Sequence, residues 1–152
     1  MIKVFEILRW AMVVAGYIIA YVFHNDTPAD ILHHLNPWVI GGIAGFSAIE
    51  GLFWAEKAAK EKGFEVGSNY QRQNAFWFLV TTIVMLIVTF ANWGEKADMT
   101  ITLVFIGFLL LSGGNHLYQA VAKGNTTWNN LIRPVGMILL AGLYVYPLWM
   151  LL

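Results

Sequence analysis

The sequence predicts an all-α integral membrane protein, a bundle of five transmembrane helices with short loops and a short outer surface helix. Composition carries the first part of that prediction. Apolar residues make up 59% of the 152-residue chain and charged ones 12%, against about 45–50% and 25% in soluble domains. With 9 Lys+Arg and 9 Asp+Glu, a globule of this size cannot cover itself with charge, so lipid is the natural solvent for the surplus apolar area. Length carries the second part: five stretches approach the roughly 20 mainly apolar residues that cross hydrocarbon. They run from about Val4 to Phe23, Trp38 to Ala55, Ala75 to Trp93, Met99 to Val121 and Val135 to Leu152. Charge distribution carries the third. With five spans, Lys3, Arg9, Lys57, Lys60, Lys62, Arg72, Lys123 and Arg133 share one side and only Lys96 lies on the other. The positive-inside rule then places the N-terminus in the cytoplasm and the C-terminus outside.

The first span follows Lys3 as a signal peptide would, but an Ala-x-Ala-like cleavage site is missing, so the expectation is a retained helix. Ala11 with Ala15, and Gly16 with Ala20, give it small-residue faces. In the loop after it, HNDTPADILHHLNP, Thr27 is placed as an N-cap, Pro28 as the first helical residue and Asp30 at the capping-box position. That pattern predicts the surface helix, to about Leu35. The second span carries Gly41, Ala44, Gly45 and Ala48 on one narrow face, a surface for close helix approach within the bundle or in an oligomer. Beyond it, AEKAAKEKG is expected to prolong the span into the cytosol as a charged helix ending at Gly63, supported by the i,i+4 pair Glu56 and Lys60.

Span three bears a polar arc of Asn74, Thr81, Thr82, Thr89 and Asn92, residues that commonly bind helices together. The fourth span ends in SGGNHLYQAVAKGN, where Ser112, His116, Gln119 and Lys123 form one stripe flanked by Asn115. Gly113 and Gly114 cost helix stability, which points to close backbone approach or local distortion. The fifth span closes a single membrane domain without internal repeat or low-complexity segment.

Glu50 is the most unusual residue, lying roughly 7 Å inside the cytoplasmic end of span two at 1.5 Å per residue. An intramembrane carboxylate serves either as a buried partner in the bundle or in ligand or proton handling. The alternation of span directions sets Glu6, Arg9, Glu50, Asn74, Asn115, His116 and Gln119 at similar depth, so a cytoplasmic-side polar pocket is expected there. Arg9 is the natural partner for Glu6 or Glu50, because an unpaired charge at that depth is costly. On the outer side, His24, Asp26, Asp30, His33 and His34 form a compact set of metal-ligating side chains, matching no recognised zinc pattern. No cofactor is indicated: His116 lacks a second in-span histidine, so a bis-histidine haem would require a dimer interface. Zero net charge removes the basic field of a nucleic-acid binder. Absence of cysteine removes disulfides and thiolate chemistry.

Two blocks carry a family resemblance. GFEVGSNYQRQNA, from Gly63 to Ala75, and GNHLYQAVAKGN followed by WNNLIRPV, from Gly114 to Val135, make the region from about Trp38 to Tyr146 similar to an uncharacterised family of small prokaryotic multi-span membrane proteins, a domain of unknown function. The resemblance implies a helical membrane fold in a prokaryotic cytoplasmic membrane and draws emphasis to Gln71, His116 and Asn125. Here Gln73 replaces a usual acidic residue, Asn115 a usual glycine, and span one is an addition.

That family has no assigned activity, and the chain lacks a nucleophile elbow, phosphate loop, paired catalytic carboxylates or HExxH. The leading expectation is a non-enzymatic membrane module embedded in the lipid bilayer: an accessory subunit packed on other membrane helices, in a homo-oligomer or larger complex, or a lipid or small-molecule binder using the pocket. A small transporter coupling through Glu50 and His116 is the alternative, and an intramembrane metal-dependent enzyme the third reading.

Overall fold

In the computed structural model, which describes residues 2–62 and 66–152, every regular element among the described residues is helical. Helix α1 (Ile2–Ile18) continues through a π-helical turn (Ile19–Phe23). Helix α2 (Pro28–Ile40) runs through a second π-helical turn (Gly41–Gly45) into α3 (Phe46–Phe53). Then come α4 (Ala55–Lys62), α5 (Asn69–Phe90), α6 (Glu95–Ala122) and α7 (Trp128–Leu151). Val4–Phe23, Asn69–Phe90, Glu95–Ala122 and Trp128–Leu151 are each long and apolar enough to cross a membrane. A fifth candidate is Pro28–Phe53 taken with Ala55–Glu61, a pair bent by 108°.

The local signals at the start of α2 act as expected. Thr27 accepts from Asp30 N at 3.1 Å, and Pro28 occupies the first turn, where it forfeits no helical hydrogen bond. The predicted surface helix, however, does not end at Leu35 but forms the opening turns of the second rod. Pro37 sits inside it at a typical cost of about 3 kcal/mol. Full burial of Leu32, Leu35, Val39 and Ile40 offsets that cost, at roughly 1.5–3 kcal/mol for each such side chain.

A second correction concerns AEKAAKEKG. This segment does not prolong the span: the helix breaks at Trp54 (φ −135°, ψ 29°) and α4 turns away. Ala58 and Ala59 are buried while Glu56, Lys57, Lys60 and Glu61 are not, so the segment is two-faced and lies across one end of the bundle. A straight extension would have left the two alanines in water. The expected stop at Gly63 lies outside the described residues.

Close approach between helices depends on glycine at a few positions. A Cβ on Gly16 would fall 2.5 Å from Trp38 Cβ, and one on Gly51 would fall 2.6 Å from Ala75 Cβ, so neither contact accepts a side chain. Gly41 and Gly45 face Met85 and Thr82 of α5, so the small-residue face of the second rod packs within this chain. Thr81 and Thr82 of the polar arc donate to the carbonyls of Trp77 and Phe78 in their own helix, so these two hydroxyls are satisfied locally.

The second rod decides where open space remains. Its α2 half touches α1, α5, α6 and α7 and is the central strut of the core. A π-helical turn carries an extra residue that re-aims the helix beyond it, and α3 packs on α5 and α1. At that end a cavity lies among the surrounding helices.

Candidate functional site

The cavity has a volume of about 430 Å³ and is lined by residues from α1, the second rod, α4, α5, α6 and α7. Its lining follows a gradient that each long helix repeats. Glu6 and Arg9 give way to Val13 along α1, Glu50 to Ile43 along the second rod, and Gln71 and Asn74 to Phe78 along α5. Ser112 gives way to Leu109 and Phe108 along α6, and Asn129 and Arg133 to Met137 and Leu140 along α7. Because these helices alternate in direction, the polar members gather at one end of the bundle and the apolar members lie one to two turns deeper. Buried Ala58 and Ala59 of α4 form part of the wall at the polar end.

An ion cluster organises the polar end. Arg9 Nη1 donates to Glu6 Oε1 at 2.8 Å and Arg9 Nη2 to Glu50 Oε2 at 3.1 Å. Arg9 and Glu50 are 7% and 5% exposed, so these charges meet in a low-dielectric setting where an unpaired partner would be costly. Glu50 is thereby paired, as its depth in the sequence demanded. Arg133 stands within electrostatic reach of Glu6, Arg9 and Glu50. The charged lining groups are therefore two carboxylates and two guanidiniums.

Of the seven residues expected in the pocket, Glu6, Arg9, Glu50 and Asn74 line it, whereas His116, Asn115 and Gln119 do not. His116 is held behind Arg133 by the α6–α7 hairpin. Its Nδ1 is 2.7 Å from Asn130 Oδ1, and Asn130 Nδ2 donates to Asn125 O at 2.9 Å. The amide oxygen must therefore accept, which puts the proton on Nδ1 and leaves Nε2 to accept from Arg133 Nη1 at 3.2 Å. With both nitrogens engaged, His116 presents no lone pair to a haem iron. Gly113 permits this closeness, since a Cβ there would lie 3.3 Å from Met137 Cβ. Asn115 is exposed and Gln119 half-buried, because only one face of α6 looks into the hairpin.

Sequence reading counted Arg133 only for topology and did not single out Ser47, Asn129 or Asn130. The usable signal was the position of Asn129, Asn130 and Arg133 just before Pro134, at the same end of the bundle as Glu50.

At the opposite end, the histidine and aspartate set is dispersed among other roles. Asp30 Oδ2 accepts from the Thr27 hydroxyl at 2.6 Å, and His34 Nδ1 donates to Asp30 O at 2.9 Å. His24 stacks on His34 with ring centroids 3.8 Å apart, while Asp26 is exposed. Among the described residues no three His, Asp or Glu side chains are grouped as around a metal ion.

His33 instead joins a network that sequence reading missed. Its Nδ1 is 2.8 Å from Oδ2 of Asp98, whose Oδ1 accepts from Asn36 Nδ2 at 3.2 Å. The Thr102 hydroxyl lies 2.8 Å from Asn36 Oδ1 and 2.7 Å from Asp98 O, and its single proton is shared between these two acceptors. In the sequence Asp98 reads as an acid at a helix start, so no local pattern marks it for this network. No family model, curated protein or solved structure matches the chain.

Proposed function

We propose that the protein is a non-enzymatic integral membrane protein that holds a membrane-borne small molecule in this cavity. The carrying observation is the lining gradient, polar at one end on every long helix and apolar below it. A site of about 430 Å³ falls within the roughly 300–1,000 Å³ usual for small ligands. In this reading the five apolar segments are spans of a cytoplasmic membrane, the N-terminus and the cavity mouth are cytoplasmic, and the C-terminus is outside. The polar end collects eight of the nine Lys and Arg residues, in support of that orientation. The family resemblance across Trp38 to Tyr146 belongs to the same reading.

Two measurements test it. Cysteine introduced at Asn25 and at Lys60, in a chain with none of its own, should be labelled from opposite sides of sealed vesicles. Labelling of both from one side would overturn the orientation. Native mass spectrometry after mild purification should show a bound small molecule that is lost when Ser47→Phe fills the cavity. A stoichiometric protein partner with an empty cavity would instead favour an accessory subunit.

A further inference from the structure

Resting on the cavity reading, we infer where the occupant is recognised: Ser47, Asn74 and Ser112 form a hydrogen-bonding station for a hydroxyl or carbonyl group carried on an otherwise apolar molecule.

The three side chains come from three helices, and all of them line the cavity. Elsewhere in this bundle helical hydroxyls are satisfied within their own helix, as Thr81, Thr82 and Thr100 are by the carbonyl four residues earlier, at 2.9, 2.9 and 2.7 Å. That back-bond is the usual resort of a hydroxyl in a helix. Ser47 and Ser112 do not make it, and among the described residues neither they nor the Asn74 carboxamide has a side-chain hydrogen bond. All three residues are half-buried, and none of their polar atoms is sealed off as Arg9 Nε and the Tyr144 hydroxyl are. Two hydroxyls and an amide, each both donor and acceptor, are therefore open to the cavity.

Contacts between the helices fix the levels of these groups. The rings of Phe78 and Trp77 lie 5.5 and 4.1 Å from that of Phe108, which sets α5 and α6 in register at this aromatic contact. Asn74 stands one turn from Phe78 toward the polar end, and Ser112 one turn from Phe108 in the same direction. They share one level above an aromatic ledge. On the second rod Gly51 abuts Ala75 and Gly45 faces Thr82, so Ser47, between them, falls at the level of Phe78. Deeper still the walls are Val13, Ile43, Leu109 and Leu140, a lining for hydrocarbon.

The station thus mediates between the ion cluster and the apolar floor. A ligand engages it without displacing an ion pair, because Arg9 already holds Glu6 and Glu50. Hydroxyl and amide groups give an alcohol or ketone its full set of partners, whereas they recover little of the cost of dehydrating an ion.

Five probes with a ten-carbon chain decide the matter: 1-decanol, 2-decanone, decane, decanoate and decyltrimethylammonium. Each is titrated into the purified full-length protein at neutral pH and read by native mass spectrometry and by tryptophan fluorescence, since Trp10 and Trp128 belong to the lining. One hydrogen bond is worth a factor of about 2–10 in affinity. Decanol and decanone should therefore bind at least about fivefold more tightly than decane or either ion. Ser112→Ala and Asn74→Leu should each weaken decanol by about 2–10-fold and leave decane unchanged. Combined with Ser47→Ala, they should make decanol and decane equal.

Equal binding of decanol and decane to the unaltered protein would overturn the station and leave its three groups to water, with the cavity reading intact. Tighter binding of either ion would overturn the uncharged group and move recognition to the ion cluster. Undiminished decanol affinity in both Ser112→Ala and Asn74→Leu would overturn the assignment to these residues. Binding of every probe unaffected by Ser47→Phe would overturn the cavity reading itself. The ratio of decanol to decane affinity in the unaltered protein is read whether or not a variant folds.

Discussion

Arg9→Met should destabilise the protein by about 3–5 kcal/mol, because it breaks the buried ion pair between Arg9 and Glu50. Methionine retains much of the aliphatic stem, so the loss reports the charge more than the volume. Glu6, with a side chain 39% exposed, can turn to water, and Glu50 cannot. Removing Arg9 and Glu50 together, as Arg9→Met with Glu50→Met, should restore most of the loss, since replacing a whole buried pair by apolar groups is often neutral or stabilising. Reversible unfolding in mixed micelles measures both variants. A double variant no more stable than Arg9→Met would show that the cluster acts through packing.

Asp98→Ala has the second-largest expected effect, about 3 kcal/mol. Asp98 is 2% exposed and accepts from His33 on one oxygen and Asn36 on the other. Removing it takes the acceptor from His33 and the shorter of the two acceptors from Asn36 Nδ2, which keeps the residue-98 carbonyl at 3.3 Å, each buried donor losing its partner costing about 1–3 kcal/mol. Thr102 retains its bond to the residue-98 carbonyl, so α6 should remain helical while its register against α2 loosens. Asp98→Asn keeps one oxygen acceptor and should recover about half of the loss. Equal loss in the two variants would show that the charge, and not the hydrogen-bond geometry, holds the network.

Residues such as Glu50 and Asp98 show why part of the site was legible in advance and part was not. Glu50 stands in an apolar run, so its depth and its need of a partner follow from periodicity and the cost of burying charge. Arg9, the basic residue at matching depth on α1, is the partner found because α1 antiparallel to the second rod sets both at one level. Asp98 follows Glu95 and Lys96 at a helix start, where an acidic residue ordinarily interacts with the helix N-terminus and solvent. Nothing local distinguishes it from an exposed acid; contact with His33 and Asn36, more than sixty residues away, makes it a core residue.

Composition and apolar run length by themselves determined that the described residues are all-helical, with four to five helices long and apolar enough to cross a membrane. Local chemistry also determined the Thr27 cap and the need to pair Glu50. Only the tertiary structure decided that the helix passes through Pro37, that α4 folds across the bundle end, that His116 is locked behind Arg133, and that α3 leaves a cavity beside α5. Each of these outcomes balances a local cost, a proline in a helix, a sharp bend or a buried polar group, against contacts with residues distant in sequence. Periodicity registers the local term alone, and the compensating contacts exist only once the helices pack.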